Sequence, residues 1–207
     1  MYIFLIVMIG YLSGCVNGSQ IIGKMKDINI KSNGMKNAGA TNTTVLLGWR
    51  YGFIVAFIDV FKAILSLLLA AMLLQQYNVM LELQIVLLYA NALFVIIGHN
   101  YPLQMGFNGG KGTASLFGVL LFIDWKFAVM GLFILLLFAA VSNYFVTGTL
   151  MLYISFIAYT AYSFGRGPAM ISFLFLILFL LKHIENFRRI MNKEEVKVTS
   201  LFRREAS

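Results

Sequence analysis

Gly98-His99-Asn100-Tyr101-Pro102 and, shortly after it, Asn108-Gly109-Gly110-Lys111-Gly112-Thr113 lie between two runs apolar enough to sit in lipid. An ordinary membrane loop has no need of Gly98, Gly109, Gly110 and Gly112 around one lysine. Glycines leave backbone N–H groups open to an anion, and Lys111 places a mobile cation among them. A lone lysine at a helix start usually snorkels to lipid headgroups. Here the flanking glycines and the N-terminus of the next apolar run favour the holding of a phosphate. Gly112 stands where a Walker A loop needs Ser or Thr for magnesium, so nucleotide hydrolysis is not expected. The stretch predicts a membrane protein that handles a phosphorylated compound at the bilayer surface.

Composition agrees with a bilayer setting. Hydrophobic residues make up 60% of the 207, and the mean hydropathy is +0.86, beyond the range of soluble domains. Seven apolar segments are predicted to be helical, because lipid leaves backbone polar groups no other partner. They run Met1–Gly23, Tyr51–Leu74, Val79–Gly98, Gly112–Ile123, Phe127–Val141, Phe145–Phe164 and Gly167–Leu181. The fold class is thus an all-α polytopic membrane protein with seven transmembrane helices, read as one domain over residues 1–207. Its basic tail covers residues 182–207.

Charge sets the orientation. The chain carries 16 Lys+Arg against 8 Asp+Glu, a net +8. The excess lies in the tail, in the long first connection (Lys24, Lys26, Lys31, Lys36, Arg50) and at Lys111. With seven crossings these regions share one side, which the positive-inside rule makes cytoplasmic, with the N-terminus outside. Contact with anionic membrane lipids is expected of such an excess, and nucleic acid is not. Leu12-Ser13-Gly14-Cys15 fits a lipoprotein cleavage pattern. No cation precedes the apolar run, however, and removal of the segment would break the charge topology, so processing is disfavoured. The single cysteine and two histidines offer neither a disulfide nor a ready metal site.

Three other groups carry candidate chemistry. Asn37-Ala38-Gly39-Ala40-Thr41-Asn42 suits a tight turn presenting donors to a ligand, or equally an ordinary solvated loop. His183, Asn186 and Arg189 recur every third residue and share a helix face. They form either a polar cap at the interface or part of a site, and His99 beside the phosphate loop has the same two readings. Asp59 and Lys62, at i and i+3 inside the second span, are predicted to pair in the bundle interior and to orient the helix beneath the site.

These strings, taken in order, resemble the bacterial membrane acyltransferases that use acyl phosphate to acylate glycerol 3-phosphate. The similarity runs through Gly23-Lys24, Gly34-x-x-Asn37-Ala38-Gly39-Ala40-Thr41-Asn42, Asp59-Val60-Phe61-Lys62, the His99 and Lys111 stretches, and His183-x-x-Asn186. It covers nearly the whole chain. The resemblance implies seven spans in the bacterial cell (inner) membrane with the active site facing the cytoplasm. It also implies transfer of a fatty acyl group from acyl phosphate to glycerol 3-phosphate, giving lysophosphatidic acid and phosphate in phospholipid biosynthesis, without a cofactor. On that reading Lys111, His183, Asn186 and His99 are catalytic. Asn37, Gly39, Thr41, Asn42, Gly109, Gly110 and Gly112 bind substrate, and no metal takes part.

The reaction asks for positioning and charge neutralisation rather than a covalent nucleophile, since acyl phosphate already carries a good leaving group. No His-x4-Asp box is present, which leaves the general base open, and a substrate phosphate is one group able to serve. The chain departs from the family pattern where a serine reads Met35, an arginine reads Val45, a lysine reads Asn108, and an Asp-Ile-Arg string reads Asn29-Ile30-Lys31. Those departures define the alternatives: an impaired relative that binds lipid or acyl phosphate, or an acyltransferase with a changed acceptor. A transporter would need polar span centres, and the apolar Phe127–Val141 and Gly167–Leu181 segments argue against one.

Overall fold

The computed structural model describes residues 1–203, so Arg204 of the predicted basic tail lies outside the described residues. All regular structure among the described residues is helical, with helices at Tyr2–Cys15 (α1), Gly18–Met25 (α2), Ala40–Leu47 (α3), Trp49–Gln76 (α4), Leu81–Asn100 (α5), Thr113–Ile123 (α6), Trp125–Ser142 (α7), Phe145–Phe164 (α8), Arg166–Met191 (α9) and Val198–Arg203 (α10). A short 3-10 turn, Leu103–Met105, follows α5. Six stretches are long and apolar enough to cross a membrane: Tyr2–Met25, Trp49–Gln76, Leu81–Met105, Trp125–Ser142, Phe145–Phe164 and Arg166–Met191. The predicted segment at Gly112–Ile123 becomes α6, whose 11 residues are too few to count with them. At about 1.5 Å per residue it reaches roughly half of the ~30 Å hydrocarbon core. The last helix runs past Leu181 to Met191, so His183 and Asn186 lie within it rather than beyond it.

The first span is two helices. α1 stops at Cys15, Val16 turns extended, and Asn17 caps α2 by accepting from Gln20 N at 3.1 Å. Broken backbone at membrane depth is tolerated only where other groups satisfy it. Lys62 Nζ donates to Gly14 O at 3.1 Å and to Val16 O at 2.5 Å. Gln104 donates to Cys15 O, and Gly18 N approaches Asp59 Oδ1 at 3.5 Å. The ion pair Lys62–Asp59, 2.8 Å apart and almost wholly buried, is therefore what closes the break.

The chain folds as two compact units, Met1–Ile123 and a second that begins at Asp124. In the first, α1 lies on α5 so closely that a Cβ on Gly98 would strike Tyr11 O and stand 3.0 Å from Gly14 Cα. Small residues permit that approach where lipid supplies no hydrophobic drive to hold helices together. Asn91 adds polar ties: Nδ2 donates to Ile6 O at 2.8 Å, and Ser66 Oγ donates to Oδ1 at 3.0 Å, so α1, α4 and α5 meet on one amide.

In the second unit, α7, α8 and α9 pack through rings. Phe127 stacks on Tyr159 at 4.1 Å, and Tyr153 meets Phe179 at 4.8 Å. Asp124 caps α7 through Lys126 N at 2.8 Å and receives the Tyr159 hydroxyl at 2.6 Å. That hydroxyl bond, with the capping amides, holds the Asp124 carboxyl below the usual range. Asn143 ties the α7–α8 turn to α10, its carbonyl accepting from Val198 N and its side chain pairing with Thr199.

A Gly98→Val substitution is expected to destabilise the protein by about 1–3 kcal/mol, the usual cost of overpacking. A thermal unfolding series in detergent, with Gly106→Val as an open-space comparison, checks the effect. The Gly106 comparison bears only on steric space, because its φ of +57° adds its own backbone cost.

Candidate active site

The Asn37–Asn42 segment and the Gly109–Gly112 segment, far apart in sequence, meet beside His99. A Cβ on Gly110 would run into His99 Nε2 and would stand 2.6 Å from Ala38 O. Only glycine fits between that imidazole and that carbonyl. Lys31 ties the same two segments: Nζ donates to Asn108 Oδ1 at 2.5 Å and to Gly109 O at 3.1 Å. Partial burial holds the Lys31 amine below the usual lysine range.

The first of these segments is built on one side chain. Asn42 is fully buried in α3, and its Nδ2 donates to Ile30 O (2.7 Å), Asn33 O (2.9 Å) and Asn37 O (2.9 Å). Its Oδ1 accepts from Met35 N at 2.7 Å. The amide therefore shapes the connection that carries Asn37 and Gly39, which gives Asn42 a positioning role in this structure. Met35 joins the frame through its backbone N–H. Thr41 stands half-buried in the first turn of α3, and Val45 lies about one turn further along the same helix. Gly39 is the residue before α3, with Asn37 Nδ2 3.2 Å from where its Cβ would be.

The glycine loop differs from the expectation in one respect. Gly109 N donates to Asn100 O and Gly110 N to His99 O, each at 3.1 Å. The end of α5 leaves carbonyls without helical partners, and these two amides satisfy them. Both glycines are thus fasteners of the loop rather than open N–H donors. Gly112 takes φ +84°, a left-handed value that favours glycine, and its carbonyl accepts from Leu116 N at 2.8 Å as α6 begins. Lys111 and the first turn of α6 follow directly. Lys111 is half-buried there.

His99 is 2% exposed, and its Nδ1 lies 2.8 Å from Lys62 Nζ and 3.5 Å from Asp59 Oδ1. The i, i+3 pair predicted as a structural brace thus also touches an imidazole of the site. Beside the same loops a cavity of about 570 Å³ opens, lined in part by Lys24, Asp27, Asn29, Lys31 and Asn108.

In the second unit His183 and Asn186 are both buried on one face of α9, as their spacing predicts. His183 Nδ1 lies 2.9 Å from Phe179 O, and its ring lies 4.2 Å from the Phe179 ring. A carbonyl only accepts, so Nδ1 carries the proton. Asn186 Nδ2 donates to Glu195 Oε1 at 2.6 Å, and Arg189 Nε donates to Oε2 at 2.9 Å. Glu195 therefore fixes both side chains from beyond the helix end. Sequence reading missed Glu195, and it named Lys31 and Asn108 without pairing them, because each meets its partner only after a turn or a loop has folded back. Among the described residues no cluster of three His, Cys, Asp or Glu converges as a metal site.

Comparison with known proteins gives the arrangement a context. Residues 4–193 match the family model for glycerol-3-phosphate acyltransferase. A curated relative from Oceanobacillus iheyensis, glycerol-3-phosphate acyltransferase 1, is 51% identical across the full length of both chains. The glycerol-3-phosphate acyltransferase of a Hydrogenobaculum species is 35% identical over 94% of this chain and 96% of its own. A crystal structure of PlsY (YgiH), an integral membrane glycerol 3-phosphate acyltransferase in its glycerol 3-phosphate form, superposes with a TM-score of 0.84 at 26% identity. That match covers 95% of this chain and 96% of that one. The same protein's lysophosphatidic acid form gives 0.82. With a family model spanning nearly all of the sequence and a full-length relative at this identity, the chain belongs to the glycerol-3-phosphate acyltransferase family.

Proposed function

We propose that this chain transfers a fatty acyl group from acyl phosphate to glycerol 3-phosphate, releasing lysophosphatidic acid and phosphate. The observation that carries this reading is the meeting of Ala38, His99 and Gly110, with Lys111 next in the chain. Two loops whose residue types suit an anion come together there around a cation. The glycerol hydroxyl attacks the acyl carbon, its proton passes to a substrate phosphate, the bond from that carbon to the phosphate oxygen breaks, and inorganic phosphate leaves. Lys111 opposes the charge that grows on the leaving group, the kind of effect that removes most of such a barrier. Gly112 and the start of α6 supply amides, while Gly109 and Gly110 keep side chains out of the phosphate's path. Asn37, Gly39 and Thr41 take the polar end of a substrate, on a frame that Asn42 holds. In the first unit His99, and in the second His183 and Asn186, are the other residues to which a catalytic role is given, each a buried polar group.

We place the protein in the bacterial inner membrane, with the N-terminus outside and the reaction on the cytoplasmic face. The support is charge: with α6 counted as the seventh crossing, Lys111, the Lys24–Arg50 connection and the tail share one side. A short α6 is compatible with this if the buried Gly109-Gly110 backbone enters the bilayer within protein, where irregular structure is tolerated. Acyl phosphate reaches the site from the surrounding lipid. A second reading, a changed acceptor, is favoured by the half-buried apolar side chains of Met35 and Val45 beside that frame.

Purified protein given long-chain acyl phosphate and glycerol 3-phosphate is expected to form lysophosphatidic acid, and Lys111→Ala to lower kcat on the order of 100-fold. If the parent is inactive and Met35→Ser with Val45→Arg restores product, the chain is instead the impaired relative that kept the fold and lost its glycerol 3-phosphate site. Asn42→Leu strands three carbonyls and an amide, at about 1–3 kcal/mol for each buried group left unsatisfied. Faster proteolysis of the connection between α2 and α3, with a raised KM for glycerol 3-phosphate, is the expected result.

A further inference from the structure

Lys62 has more acceptors around it than protons to give. Val16 O lies at 2.5 Å, Asp59 Oδ1 at 2.8 Å, His99 Nδ1 at 2.8 Å and Gly14 O at 3.1 Å. The three oxygens can only accept. The imidazole nitrogen is able to accept or donate, so charge and proton count decide between the two. Were Nδ1 to carry a proton, Asp59 Oδ1 at 3.5 Å would be a distant acceptor, and an ammonium 2.8 Å away would oppose it as a second donor. Lys62 would then have to be a neutral amine that accepts it. That amine would have two hydrogens for three oxygens, and the Asp59 carboxylate, 1% exposed, would lose its counter-charge in an apolar bundle. A buried carboxylate in that state is costly. The ammonium form keeps the ion pair and offers three hydrogens to the four acceptors. It then requires a bare Nδ1 on His99.

We propose that Lys62, anchored by Asp59, is a positioning residue that fixes His99 as a neutral imidazole with its proton on Nε2. His99 then faces Gly110 as a hydrogen-bond donor, and it cannot serve as a base there. The inference rests on the reading that the 109–112 loop handles a substrate phosphate, because an N–H donor suits an anion-holding mouth. It also gives the intramembrane pair two tasks at once: its hydrogens close the broken first span, and one of them orders the imidazole. His183 shows the opposite arrangement, since its Nδ1–H donates to Phe179 O. The two histidines of the chain are thereby set in contrary tautomers by different partners.

Nitrogen-15 NMR of the full chain, labelled at histidine and held in lipid bicelles near neutral pH, tests this directly. His183→Gln leaves His99 as the single reporter. The expected spectrum shows a protonated Nε2 and a bare Nδ1. A protonated Nδ1, whether in the other neutral tautomer or in an imidazolium, overturns the proposal. Lys62→Met leaves His99 Nδ1 as the nearest cation-forming partner of Asp59, and a proton is expected to appear on Nδ1. If Lys62→Met does not fold, the spectrum with Lys62 intact still decides. In the acyl-transfer assay His99→Gln, which keeps an N–H donor and cannot act as a base, is expected to lose less kcat than His99→Phe. Equal losses count against the donor role. An active parent with Nδ1 protonated removes the Lys62 inference and leaves acyl transfer standing. An inactive parent with Nε2 protonated does the reverse.

Discussion

Backbone that leaves a helix inside a membrane must find hydrogen-bond partners, and the first span of this protein leaves its helix at Val16. Gly14 O, Cys15 O, Val16 O and Gly18 N are all freed or weakened there, in surroundings with no bulk water. Lys62, Asp59 and Gln104 answer them. This explains why two full charges sit in the middle of an apolar helix, where each would otherwise be expensive. The same lysine reaches His99 at the end of α5, so the repair of the break and the geometry of the site depend on one ammonium group.

The loops follow the same logic. Gly109 and Gly110 satisfy the last carbonyls of α5, and in doing so they bring the chain back across the helix end. The turn that results is dense: Pro102, His99 and Ala38 leave no room for a β-carbon at either glycine. Asn42 does equivalent work for the other segment, one amide serving four backbone partners. Lys31 then joins the two. The meeting of the two loops is a product of backbone satisfaction first, and Lys111 follows directly on the frame that results. In the second unit Glu195 acts in the same way, holding Asn186 and Arg189 from outside the helix that bears them.

Family membership and this geometry support each other on separate grounds. The match over residues 4–193 rests on the order of the motifs along the chain. The contacts among Ala38, His99 and Gly110 rest on packing, and would be read the same way in a protein with no known relatives. Of the departures, Met35 and Asn108 both take part in the hydrogen bonding that shapes the loops. Met35 contributes its N–H to Asn42, and Asn108 accepts from Lys31 where two cations would have repelled.

The sequence by itself determined the helical class, most of the span positions, the Asp59–Lys62 pair and the order of the motif loops. Each of these follows from local physics: lipid enforces helices, i and i+3 share a face, and glycine around lysine marks a turn near an anion. Tertiary structure decided the rest. The break at Val16, the length of α6 and the use of the Gly109 and Gly110 amides depend on what each backbone group finds nearby once folded. Asn42, read in the sequence as a ligand donor, organises the loop here, because three carbonyls of the irregular connection before α3 converge on it. Such convergence leaves no periodicity or spacing to read. It exists only once an irregular stretch of chain has turned back within hydrogen-bond reach.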